Sequence, residues 1–137
     1  MIWKELNDNL VFHNLKASDN IEVLQLMGDA MIQEGYGEEG FTEAVLKREK
    51  DYPTGLDVNG IGVAIPHTDA EHVKKEGLSI AVLNPPIEFD AMGEEDCRIP
   101  VKIVLMFTEE ILQGLLDAKN KKEIRTVIQK KEKSDIN

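Results

Sequence analysis

Apolar side chains recur at two different spacings along this chain, and the spacings divide it into elements. Over residues 18–35, SDNIEVLQLMGDAMIQEG, the side chains Val23, Leu24, Met27, Ala30 and Met31 share one face at helical spacing. Asp19 stands where an N-cap would, Glu22 three residues on supplies the acid of a capping box, and Gly35 suits the C′ position. A second helix is expected over 41–51, FTEAVLKREKD, and Pro53 stops it because proline disfavours helical backbone in the residue before it. Short apolar runs at 10–15, 61–65, 78–84 and 101–107 read as strands. The last, VKIVLMF, is nearly continuous, as suits a strand covered on both faces. TGLDVNG at 54–60 reads as turn chemistry, and Pro85-Pro86 is expected to break the third run, leaving 87–89 as a separate edge piece. EEILQGLLDAKNKKEIRTVIQKK, 109–131, carries two apolar stripes, Ile111, Leu112, Leu115 and Leu116, then Ile124, Val127 and Ile128, and predicts one or two helices. Strands in the middle with helices at both ends predict an α/β domain, a three-layer sandwich with a mixed sheet and helices on both faces. No repeat, linker or low-complexity stretch divides the 137 residues, so 1–137 is read as a single domain.

Composition narrows the function. With 42% hydrophobic and only 5% aromatic residues the core must be aliphatic. No apolar run approaches the roughly 20 residues of a membrane helix, so no direct membrane insertion is expected. The opening MIWKELNDNL has acids where a signal peptide would be apolar, and the lone Cys97 cannot pair within the chain; the expectation is a cytoplasmic protein. Net charge is −10, unevenly spread: 119–137 hold seven basic and three acidic residues, and the remainder is strongly acidic. An acidic body repels phosphate backbones, which argues against nucleic acid as a partner.

The candidate chemistry centres on IGVAIPHTDAEH, 61–72. An apolar run climbs to Pro66, and His67 follows at once. Strand ends at a sheet edge are where open α/β folds place their sites, and an imidazole is a competent nucleophile near neutral pH. By itself the pattern also fits a plain turn histidine. His67-x-Asp69-x-x-His72 contains metal-ligand types, but the spacing matches no zinc pattern and nothing supplies a fourth ligand, so no metal is assigned. Arg48, in KREKDYP, could hold phosphate oxygens bidentately or be a solvated helix charge. His13 reads as structural, and Cys97 as unreactive for want of a neighbouring histidine.

Taken in order, REKDYPTGL at 48–56, GIGVAIPHTDAEHVKK at 60–75, VLNPPIEFDAMG at 82–93 and PVKIVLMF at 100–107 resemble the IIA components of the bacterial sugar phosphotransferase system, of the fructose–mannitol type. The wording is most similar to galactitol-specific IIA proteins, and the resemblance covers nearly the whole chain. It implies that His67 accepts a phosphoryl group from phospho-HPr and passes it to a cysteine of a IIB component. That IIB serves a IIC membrane permease taking up a sugar or sugar alcohol. It implies that Arg48 lies beside the site, where it could pair with the phosphoryl oxygens. Thr68 and Asp69, which follow His67, are supporting candidates that could complete the pocket, and His72 is carried with them although it also fits a solvated turn residue. No cofactor is required, since the group moves between side chains. A phosphorylation-sensing regulatory domain is the alternative, and a metal-dependent hydrolase resting on His67, Asp69 and His72 a more distant one.

One departure from the family pattern stands out. After the strand matching VKIVLMF the family has a loop and helix carrying a second active-site histidine, whereas here Thr108 runs directly into Glu109. About a helix and loop, on the order of 20 residues, has no counterpart. Loss of such a helix would expose a face of the sheet, so a segment outside this sequence is the favoured reading over a true deletion. No second histidine is carried over.

Overall fold

The structure, a computed structural model, describes residues 7–107. A 3-10 turn, Asp8–Leu10, leads into β1, Val11–Leu15. Helices α1, Asn20–Gln33, and α2, Phe41–Asp51, follow. Then come β2, Gly55–Val58, β3, Ile61–Ala64, and the long strands β4, Leu78–Asp90, and β5, Arg98–Phe107. The five strands form one mixed sheet in the order β1-β4-β5-β3-β2. β1 runs parallel to β4 and β3 parallel to β5, with Val11 opposite Ile80 and Ala64 opposite Val104; β2–β3 and β4–β5 are antiparallel. The expected α/β architecture is present. The helices predicted over 109–131, and the Thr108–Glu109 junction, lie outside the described residues.

Local chemistry sets the helix ends. Asp19 caps α1 by accepting the Glu22 amide at 2.9 Å, while the Glu22 carboxylate reaches back to the Ser18 amide and hydroxyl. At the other end Gly35 takes a positive φ of 86°, its amide bonds Ile32 O, and the Tyr36 amide bonds Met31 O, a Schellman closure. Val23, Leu24, Met27 and Met31 from α1, with Phe41 and Val45 from α2, pack on one face of the sheet against Ala64, Ala81, Leu83, Val104 and Met106. Side chains alternate across a strand, so Val63, Ile65, Leu78, Ile80, Leu105 and Phe107 form a second cluster on the opposite face. β5 thus lies centrally with apolar contacts on both sides, as its continuous pattern predicts.

Two expectations need correction. TGLDVNG is mostly not turn: Gly55–Val58 pair residue by residue with Ile61–Ala64, and only Asn59 and Gly60, both at positive φ, make the two-residue connection. Exposed, polar Asp57 hides the strand from a pattern search, because β2 has half its side chains in solvent. Nor do Pro85 and Pro86 end the third run. β4 is one strand whose register against β5 shifts between Val82 and Ile87, and the prolines fall inside that irregularity, where no ladder N–H is required of them. Residues 87–89 therefore continue β4 rather than forming a separate piece.

Candidate functional site

The site lies where β3 ends. Its ladder with β5 stops at Ala64, so the amide of Ile65 is the first beyond the pairing. The Thr54 hydroxyl takes that amide at 3.1 Å. Pro66 follows with no N–H to satisfy, and His67 is turned back so that its Nδ1 lies 3.2 Å from the Ile65 carbonyl oxygen. A carbonyl only accepts, so Nδ1 carries a proton, and in the neutral ring the lone pair resides on Nε2. The imidazole is about nine-tenths buried, with 9% of its surface exposed, and Thr68 beside it is buried too.

Arg48 occupies the last turn of α2. Its Nη1 lies 3.4 Å from Oδ1 of Asp69, and its guanidinium carbon stands 5.0 Å over the centre of the Tyr52 ring. Both members of the pair are partly exposed, so the contact adds little stability. What it does is bring the end of α2 against the segment two residues past His67. Among the described residues, Arg48 Nε is buried with no hydrogen-bond partner.

His72 is drawn elsewhere. It sits on the 3-10 turn Ala70–His72, its Nε2 is 3.3 Å from the carboxylate of its neighbour Glu71, and its carbonyl accepts the Glu38 amide. Among the described residues no three His, Cys, Asp or Glu side chains gather closely enough to hold a metal, so His67, Asp69 and His72 do not form a ligand set. His13 is exposed on β1. The Cys97 thiol is pushed up by its hydrogen bond to Glu94 and by burial, in keeping with an unreactive thiol.

The pair behind the site is not apparent from motif reading. Glu49, adjacent to Arg48, points inward and is only 5% exposed. Its carboxylate accepts both the Thr54 amide, at 2.9 Å, and the Thr54 hydroxyl, at 2.7 Å. Burial pushes its pKa up to about 7; the two Thr54 hydrogen bonds oppose that rise and the charge of Asp90 adds to it. The sequence does hold a signal: Phe41, Val45 and Glu49 fall at four-residue intervals, so a carboxylate occupies the apolar stripe of α2.

Comparison with known proteins bears on this geometry. Residues 4–109 match the family model for the phosphoenolpyruvate-dependent sugar phosphotransferase system, EIIA 2. The chain belongs to the EIIA 2 family. The match ends at Glu109. The galactitol-specific EIIA component of Escherichia coli K12 is 27% identical over 118 residues, 86% of this chain and 75% of that protein. The transcriptional regulator ManR of Bacillus subtilis is 30% identical over 80 residues, 58% of this chain but 12% of ManR, so the chain spans a small part of that regulator. Among solved structures, the Escherichia coli complex of enzyme IIA of the mannitol system with phosphorylated IIB contains a chain of the same fold. It has a TM-score of 0.62 and 22% identity, covering 90% of this chain and 96% of that one.

Proposed function

We propose that this EIIA 2 protein is a phosphocarrier whose His67 takes a phosphoryl group from phosphohistidine on HPr and hands it to the cysteine of a IIB component. The observation that carries the reading is the bond from His67 Nδ1 to the Ile65 carbonyl, which puts the lone pair on Nε2. In the first step Nε2 attacks phosphorus and the P–N bond of the donor breaks. In the second a IIB thiolate attacks phosphorus and the His67 P–N bond breaks, returning the electron pair to Nε2. Phosphoryl transfer depends on in-line placement and on stabilising charge spread over three oxygens. Arg48 serves that purpose: its guanidinium is moored by Asp69 and Tyr52, and its side chain is partly exposed, so its terminal N–H groups can donate to phosphoryl oxygens. Thr68, buried next to His67, is a supporting candidate, Asp69 orients Arg48, and His72 is assigned no role in transfer. No metal or cofactor enters.

IIB as acceptor is supported by the fold shared with a IIA solved in complex with phosphorylated IIB. Galactitol as the transported sugar alcohol, taken up through a IIC permease served by that IIB, is supported by similarity to a galactitol-specific component. The exchange would take place in the cytoplasm; among the described residues no helix is long and apolar enough to cross a membrane. The test is labelling by phospho-HPr. Wild-type protein takes up one phosphoryl group and His67→Ala takes up none; full labelling of the variant overturns the assignment. The similarity to ManR keeps a second reading, a domain that senses sugar supply by being phosphorylated. Addition of a cognate IIB separates the two, since a carrier discharges to it and a pure sensor does not.

A further inference from the structure

Among the described residues Glu49 is the only buried carboxylate, and its hydrogen bonds lead to His67. Oε1 and Oε2 accept the Thr54 hydroxyl and amide, the Thr54 hydroxyl accepts the Ile65 amide, and the Ile65 carbonyl accepts His67 Nδ1–H. With Glu49 ionised, each link has one direction. A hydroxyl has a single proton, and Glu49 takes it, so Thr54 Oγ1 is left as an acceptor facing the Ile65 N–H. That amide is the one stranded where the β3–β5 ladder stops, and it would otherwise be a buried donor without a partner. Of the other buried polar side chains, Thr42 and Ser79 are spent elsewhere, on Asp29 and on the Leu10 carbonyl.

We propose that Glu49 and Thr54 form a positioning unit that fixes the Ile65 peptide, and through its carbonyl the tautomer and orientation of His67. Glu49 and Thr54 do not touch the reacting atoms; they act through Ile65. The proposal rests on His67 being the phosphoryl acceptor. Linked polar groups in a poorly solvated site polarise one another, and a misplacement of about 1 Å at a nucleophile can cost on the order of 100-fold in rate.

The experiment uses the full chain as wild type, Thr54→Val, Thr54→Ser and Glu49→Gln. Two quantities are read: the 15N–1H correlation pattern of the His67 ring, which reports the tautomer, and single-turnover transfer from phospho-HPr. Thr54→Val is expected to lower the Nδ1–H tautomer fraction and slow transfer roughly tenfold to 100-fold. Thr54→Ser keeps the hydroxyl and should restore both. Glu49→Gln retains one acceptor of two and should fall between, which reads the relay even if Thr54→Val fails to fold. A His67 tautomer pattern unchanged in folded Thr54→Val or in Glu49→Gln overturns the proposal, whatever the rate does. Failure of wild type to accept phosphate would instead overturn the phosphocarrier reading, and the ring spectra would still decide the relay.

Discussion

Arg48 and Glu49 are sequence neighbours with opposite fates, one turned toward solvent and Asp69, the other buried against Thr54. A lysine at position 48 would keep the charge and lose the planar fork, so Arg48→Lys should slow transfer from phospho-HPr by roughly tenfold to 100-fold in a single-turnover assay, with unchanged thermal stability. Glu49 makes stability depend on pH. Its folded pKa is raised, from the ordinary 4.5 to about 7. The associated stability is therefore fully present below about pH 4.5 and lost as pH rises through about 7, by an amount bounded near 3 kcal/mol. Urea titrations at pH 5 and pH 8 should show wild type losing more stability across that interval than Glu49→Gln; parallel behaviour of the two would contradict the assignment. His67 is recognisable from its sequence neighbourhood because motif and strand end coincide there. Its partner is not: the Ile65 carbonyl and the Thr54 hydroxyl matter only because the chain beyond α2 folds against the end of β3, and no residue type announces that.

At the level of elements, the helices are written locally, in Asp19, Glu22, Gly35 and Pro53, and their bounds follow from those residues. The β2–β3 hairpin is written in its pairing, which is why Gly55 and Asp57 mislead. Its turn needs Asn59 and Gly60 at positive φ, 53° and 87°. Gly60→Ala has room for its methyl group but a strained backbone, and should cost about 1–2 kcal/mol in urea denaturation. Gly62 presents the other constraint: a Cβ there would collide with the Pro100 carbonyl of β5, which is backbone and cannot step aside. Gly62→Ala is expected to cost at least about 3 kcal/mol, more than Gly60→Ala, and the reverse order would mean that the two strands are less closely joined than the structure shows. Because β3 is the stem of His67, any such shift also displaces the site.

Across the whole molecule the order in which contacts form follows from the sheet. β4 and β5 are neighbours in sequence, meeting at Asp90 and Arg98, whereas β1 reaches β4 only after both helices and the β2–β3 hairpin have been laid between them in the chain. Closing that long loop costs configurational entropy before any contact compensates it, while the β4–β5 pairing costs little. The transition state for folding should therefore contain the β4–β5 ribbon and lack the β1 edge. Val104→Ala should mainly slow refolding, with φ above about 0.5, and Phe12→Ala should mainly hasten unfolding, with φ below about 0.3, in stopped-flow chevrons. The same asymmetry acts in the native state: amides of β1 should exchange with solvent through partial opening, ahead of those on β5. His67 stands just past the end of β3, with β4 and β5 between it and the β1 edge, so the sheet can breathe at that margin without loosening the stem of the histidine.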